Sequence, residues 1–178
     1  MKKPTTLQIT QAAVVTAAYV LLTLPFAQFA FGPIQFRLAE AMTVLPVLFP
    51  AAVPGLFLGC LLSNLFNPNS LGPIDIVFGS LATLLAALAT WRIARKTRGM
   101  SPSVRRGLSL LPPVVINALV VGSYLPFLLM DAASSASPLS LVPINMLTVG
   151  ASEAVVVFVV GLPLLVALEK RYPARMES

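Results

Sequence analysis

Apolar residues fill this chain in long runs, and short stretches of Gly, Pro, Asn, Ser and charge interrupt them. Such runs predict membrane-spanning helices. Six are legible, at about residues 7–26, 37–49, 55–66, 74–91, 108–130 and 141–168. The breaks have their own chemistry. Gly32-Pro33 ends the semi-polar stretch after span one, and Pro50 and Pro54 bracket a tight turn between spans two and three. Asn67 to Pro73 is dense in turn formers, and Asp131 to Ser140 is small and polar. Pro112-Pro113 stands near the start of span five. Spans two and three are short, which calls for tilt or for burial against neighbouring helices. Gly59 leaves span three either straight or broken.

Composition agrees with the pattern. The 178 residues are 57% hydrophobic and 10% charged, with a mean hydropathy of +0.90; soluble domains carry about 25% charged residues. Six helices of about 20 residues use roughly 120 of them. That excludes a separate soluble domain or ATPase module, so residues 1–178 read as one integral membrane domain. Lys2 and Lys3 precede the first run without a convincing cleavage site before Phe31, so it reads as a retained span. No internal repeat is visible by eye.

Charge sets the expected orientation. Lys2 and Lys3 precede span one, six basic residues from Arg92 to Arg106 follow span four, and Lys170, Arg171 and Arg175 end the chain. On a six-span path these eleven of the twelve Lys and Arg fall on one side, so both termini are expected in the cytoplasm. Arg37 alone falls on the other. The net charge of +6 is this bias rather than a nucleic-acid footprint. Trp91 and Tyr172 fall near the expected cytoplasmic interface, where amphipathic rings belong.

Polar groups inside spans are costly, at about 2.5–3.5 kcal/mol for a charge at the centre. They collect toward the outer half. Arg37 and Glu40 open span two, Asn64 closes span three, and Asp75 opens span four. Tyr124 and Asn145 lie in the outer parts of spans five and six, with Asn117 and Glu153 nearer the middle. This is the distribution an outward-facing pocket needs. Each residue also has a structural reading. Arg37 and Glu40, one turn apart, are placed to pair with each other. Asp75 can act as a helix-start acid, the asparagines as interhelical hydrogen bonders, and Tyr124 as packing. Glu153 lies about 12 residues into span six, roughly 18 Å deep, and no basic residue is expected at its depth. It requires a polar partner, water, a proton or a cationic ligand.

In span one, Ala13 and Ala17 are four apart and share a face. A small face of this kind serves internal packing or a partner helix. Catalytic chemistry has no support. The chain has no His, Cys60 is the only cysteine, and no Lys lies within a span. Disulfides, His-based triads, HExxH zinc sites and Ser-Lys dyads are therefore excluded. GxxxxGK[ST] is absent, so no cofactor is expected and ATP hydrolysis would belong to a partner.

The stretch Ile34-Gln35-Phe36-Arg37-Leu38-Ala39-Glu40-Ala41, then Leu45-Pro46, Asn64-Leu65-Phe66 and Gly72-Pro73-Ile74-Asp75-Ile76-Val77-Phe78-Gly79-Ser80, resembles the QueT family. These are substrate-binding S-components of energy-coupling factor (ECF) transporters. The resemblance implies a six-helix all-α membrane bundle in a prokaryotic plasma membrane, with both termini inside. It also implies a pocket near the extracellular face, a transmembrane coupling subunit and two ATPase subunits. The alanine face at Ala13 and Ala17 matches the family's contact with the coupling subunit. The implied ligand is a queuosine precursor, a deazaguanine base such as aminomethyl-deazaguanine or queuine. The candidate binding residues are then Arg37, Glu40, Asn64, Asp75, Asn117, Tyr124, Asn145 and Glu153, with no metal and no nucleic acid involved. The alternatives are an S-component for another vitamin or nucleobase, and a stand-alone ion-coupled carrier or channel with Glu153 as its ion site.

Overall fold

A computed structural model describes residues 4–27, 36–68, 71–129 and 137–172. The Gly32-Pro33 break, Ile34-Gln35, Asn69-Ser70, most of the Asp131–Ser140 loop, and the basic residues Lys2, Lys3 and Arg175 lie outside them. Every described element is helical. Helix α1 covers Thr6–Phe26, α2 Leu38–Val47, α3 Ala52–Phe66, α4 Asp75–Lys96, α5 Pro102–Leu129 and α6 Pro138–Arg171. Four of these, α1, α4, α5 and α6, are long and apolar enough to cross a membrane, and α2 and α3 are shorter apolar helices.

The helices run past the apolar windows that predict them. Helix α4 continues through Arg92 and Arg95 to Lys96, α5 starts at Pro102 rather than near Leu108, and α6 starts at Pro138 and reaches Arg171. Hydropathy falls where charge begins, but backbone hydrogen bonding does not depend on it. Proline at the first helical position suits α5 and α6, because no intrahelical partner exists there for an N–H. Pro112 and Pro113 lie inside α5 without ending it, as membrane helices tolerate.

Helix α1 is seated on α3. Its start is closed by a reciprocal cap, with the Gln8 amide donating to Thr5 Oγ1 at 3.3 Å and the Thr5 amide to Gln8 Oε1 at 2.9 Å. Further along, Gly55 and Gly59 of α3 form a shallow groove. A Cβ at Gly55 would stand 2.7 Å from the Ala12 carbonyl, and one at Gly59 would stand 2.6 Å from Tyr19 Cβ. Glycine lets the two backbones approach, and Thr16 Oγ1 donates across the crossing to the Gly55 carbonyl at 3.0 Å. Helix α3 runs unbroken through Gly59. Leu7, Ile9, Val14 and Leu21 of α1 are exposed, as are Ala13 and Ala17.

Helix α2 explains the short second span. Ala39 to Val47 are all buried, so no side of it faces outward. It packs against α1, α3, α4, α5 and α6. Its residues enter two core clusters, one with Tyr19, Leu56 and Cys60, the other with Leu110, Val157 and Leu165. An all-round apolar segment belongs at such an axis. The winding is 3₁₀, as shown by bonds from Glu40 N to Arg37 O and from Leu48 N to Leu45 O, each 3.0 Å. At about 2.0 Å per residue, ten residues reach about 20 Å.

The two ends of the bundle differ. At one, Phe49 and Tyr172 meet edge to face with centroids 5.6 Å apart, and Arg95 lies 5.1 Å from the centre of the Trp91 ring. Gln8, Pro50, Trp91, Arg95 and Arg98 line one groove there. Arg106 grips Glu169 through Nη2 at 2.6 Å and Nε at 2.8 Å. The start of α1 and the end of α6 therefore share this basic end. Arg37 lies at the far end of α2.

Candidate functional site

Side chains from all six helices converge at the end away from the basic residues. The loop before α4 turns at Gly72, whose φ of +91° suits glycine. Helix α4 then opens with a π-wound segment, Asp75–Gly79. Asp75 is buried and is approached from two sides. Tyr124 OH donates to Oδ1 at 2.6 Å, and Arg37 Nη2 stands 3.6 Å from Oδ2. Asn64 Nδ2 donates to the Asp75 carbonyl at 3.1 Å. Gly79 makes this convergence possible: a Cβ there would meet Asn64 Nδ2, Asp75 Oδ1 and Tyr124 OH, all at 3.1–3.2 Å.

Glu40 forms the second half of the site. Its Oε1 accepts from Tyr19 OH, and from Thr83 Oγ1 at 3.4 Å. Its Oε2 is buried without a hydrogen-bond partner among the described residues. Glu153 approaches from α6, just before that helix widens into π winding over Val156–Gly161. Gly161 lets this widened segment lie against α2, where a Cβ would come within 2.8 Å of Val44 Cγ1. Glu153 is 5% exposed, and its Oε1 also lacks a hydrogen-bond partner among the described residues. Arg37, Glu40, Asn117, Val121, Val149 and Glu153 line one cavity of about 10 Å³.

Several expectations change. Arg37 stands in extended conformation just before α2 and faces Asp75 on α4; the ion pair found for it is across helices, not along one turn to Glu40. Glu153 does have a basic residue beside its cavity, since Arg37 reaches inward from the start of α2. Cys60 adds a buried thiol beside the pair. Its Sγ lies 3.7 Å from Arg37 Nη1 and 3.8 Å from Asn64 Nδ2. Asn145 makes a local bond, to the Leu141 carbonyl at 3.1 Å. Seven of the eight candidate residues thus meet in the contacts above, and Asn145 does not. Tyr19, Thr83 and Gly79 went unread in the sequence. The available signal was a phenol and a hydroxyl inside apolar spans, groups that require partners when buried.

The charge count is unusual. Glu40, Asp75 and Glu153 face one guanidinium, all four side chains being no more than 6% exposed. Buried charges persist when paired or hydrogen-bonded. Whichever carboxylate Arg37 serves, the other two are left to hydrogen bonds, water, a proton or a ligand. Small-molecule pockets usually measure about 300–1,000 Å³, so this site is closed around its polar groups. Larger grooves lie elsewhere. One of about 480 Å³ follows the α1–α3 seam beside Ala12, Ala13 and Leu58. Another, of about 330 Å³, is lined by Gln11, Leu45, Phe49 and Tyr172. Both have almost wholly apolar walls, far from the acids.

Comparison with known proteins gives two matches. A family model described as "QueT transporter" matches residues 9–170. The Lactococcus lactis protein named "Queuosine precursor transporter QueT" is 33% identical over 87 residues, which is 48% of this chain and 50% of the relative. The match thus spans about half the length of that relative. No solved structure matches the chain.

Proposed function

The chain belongs to the QueT transporter family, a family of transporters and not of enzymes, and from that premise we propose that it is the substrate-binding S-subunit of an ATP-driven ECF importer for a queuosine precursor. The observation that carries the reading is the cluster of three buried carboxylates around one guanidinium, set at the end of the bundle away from the basic residues. A deazaguanine presents a guanine-like edge with adjacent N–H donors, which a carboxylate can accept in pairs. Asn64 and Asn117 can donate or accept, and Tyr124 offers a ring for a flat base.

In this reading α2 and α3 complete a six-span path, and the basic end faces the cytoplasm by the positive-inside bias. The membrane is then a prokaryotic plasma membrane, and the acids face outward. A bicyclic base is larger than the closed cavity, so loading requires the outer ends of the helices to part. Ala13 and Ala17 are the contact for the coupling subunit, which brings two ATPases. Their exposure, and the apolar groove beside Ala12 and Ala13, supports a partner helix there.

The test is calorimetric binding of aminomethyl-deazaguanine, queuine, guanine and thiamine to the detergent-purified protein, followed by uptake with and without coupling and ATPase subunits. Tight binding of a deazaguanine and subunit-dependent uptake are expected. Folded protein that binds none of the bases would end the queuosine assignment. Uptake that persists without the ATPases would favour an ion-coupled carrier.

A further inference from the structure

Glu40 and Glu153 come from helices remote in sequence, yet they line the same cavity of about 10 Å³. Each presents a buried carboxylate oxygen, Glu40 Oε2 and Glu153 Oε1, with no hydrogen-bond partner among the described residues. Asn117 adds an amide beside Glu153, and Val121 and Val149 supply apolar walls. The other Glu40 oxygen is held by Tyr19 and Thr83, which fixes the direction of the carboxylate. Asp75, by contrast, has both oxygens engaged by Tyr124 and Arg37. The carboxylate oxygens left without a partner among the described residues are therefore those of the Glu40–Glu153 pair.

We propose that Glu40 and Glu153 together form a receptor for a primary ammonium group on the transported base. This rests on the transport reading above and adds the substrate's substituent to it. An ammonium is a compact charge with three N–H donors and needs acceptors on several sides. A cavity of about 10–15 Å³ holds about one water, and an ammonium is of that size. The group thus enters the existing space, while the flat ring stays outward of it, toward Tyr124. A nitrile in the same place brings neither charge nor donor and leaves both carboxylate oxygens without a partner. A secondary amine carrying a bulky ring, as in queuine, exceeds the space. The pair therefore selects aminomethyl-deazaguanine over both.

The experiment is calorimetric titration of the full-length purified protein with aminomethyl-deazaguanine, its cyano analogue and queuine. The wild type is expected to favour the primary amine over the nitrile by about 10- to 100-fold, the range for hydrogen bonds to charged groups. Glu153→Gln and Glu40→Gln should each shrink that preference about tenfold or more, with an unchanged helical circular-dichroism spectrum and unfolding transition as proof of an intact fold. Equal wild-type affinity for amine and nitrile overturns the receptor while leaving deazaguanine transport in place. So does a Glu153→Gln protein that keeps the full preference. No binding of any of the three by folded protein ends the queuosine-precursor assignment and the receptor with it. The wild-type comparison needs no substitution, so it decides the matter even where a variant fails to fold.

Discussion

Tyr124 and Asp75 are joined by a 2.6 Å hydrogen bond from the phenol to Oδ1, on the carboxylate whose other oxygen faces Arg37. Helices α4 and α5 are thereby tied at the acid that also holds the start of α2. Tyr124→Phe removes the donor while keeping the ring. The expected cost is about 1.5–3 kcal/mol, the usual range for a hydrogen bond to a charged group. Thermal unfolding in detergent should show a lowered midpoint, and an unchanged midpoint would mean the bond contributes nothing.

Asp75→Asn is a harsher change. It deprives Arg37 of its carboxylate in a buried setting, where breaking one side of an ion pair costs about 3–5 kcal/mol. A joint replacement, Arg37→Met with Asp75→Leu, should recover much of that stability but not ligand binding. Recovery of both would show that neither residue touches the ligand.

Gly59→Ala tests the seam between α1 and α3. The new methyl would stand 2.6 Å from Tyr19 Cβ, so α1 must move away. Overpacking of this kind costs about 1–3 kcal/mol, more than the gain in helix propensity of about 1 kcal/mol. Because Tyr19 holds Glu40, ligand affinity should fall with stability. A variant as stable and as tight-binding as its parent would show that the seam is slack.

Ala13→Leu and Ala17→Leu act on the exposed surface of the same helix. Both residues are exposed, so the folded protein and its ligand affinity should be unchanged. Co-purification with a coupling subunit should be lost. Complexes that assemble normally with either variant would remove this face from the partner surface.

Much of this was legible along the chain. Apolar runs locate all six helices, because lipid and core alike require them, and the polar residues that interrupt the outer halves turn out to meet. What could not be read was which groups face each other. The Arg37–Asp75 pair depends on how the start of α2 is set against α4, and a run of apolar residues does not show which helix will lie beside it. Tyr19 and Thr83 were hidden for a similar reason. A single hydroxyl in an apolar helix can return its proton to its own backbone, as Thr10 does to Thr6, and only the neighbouring helix decides otherwise. Helix ends beyond the apolar windows were missed because hydropathy reports solvent, not backbone hydrogen bonding.

Helix α2 has one mechanical consequence. Wound as an ordinary α-helix, its ten residues would be about 5 Å shorter, since the rise falls from about 2.0 to 1.5 Å per residue. The segment that carries Arg37 and Glu40 at one extremity is followed directly by Phe49, seated on Tyr172 at the other. It is thus a strut drawn out beyond its ordinary length, clamped at both extremities and touching every other helix between them. The acidic extremity and the aromatic contact beside the arginines are joined by one short, continuous segment.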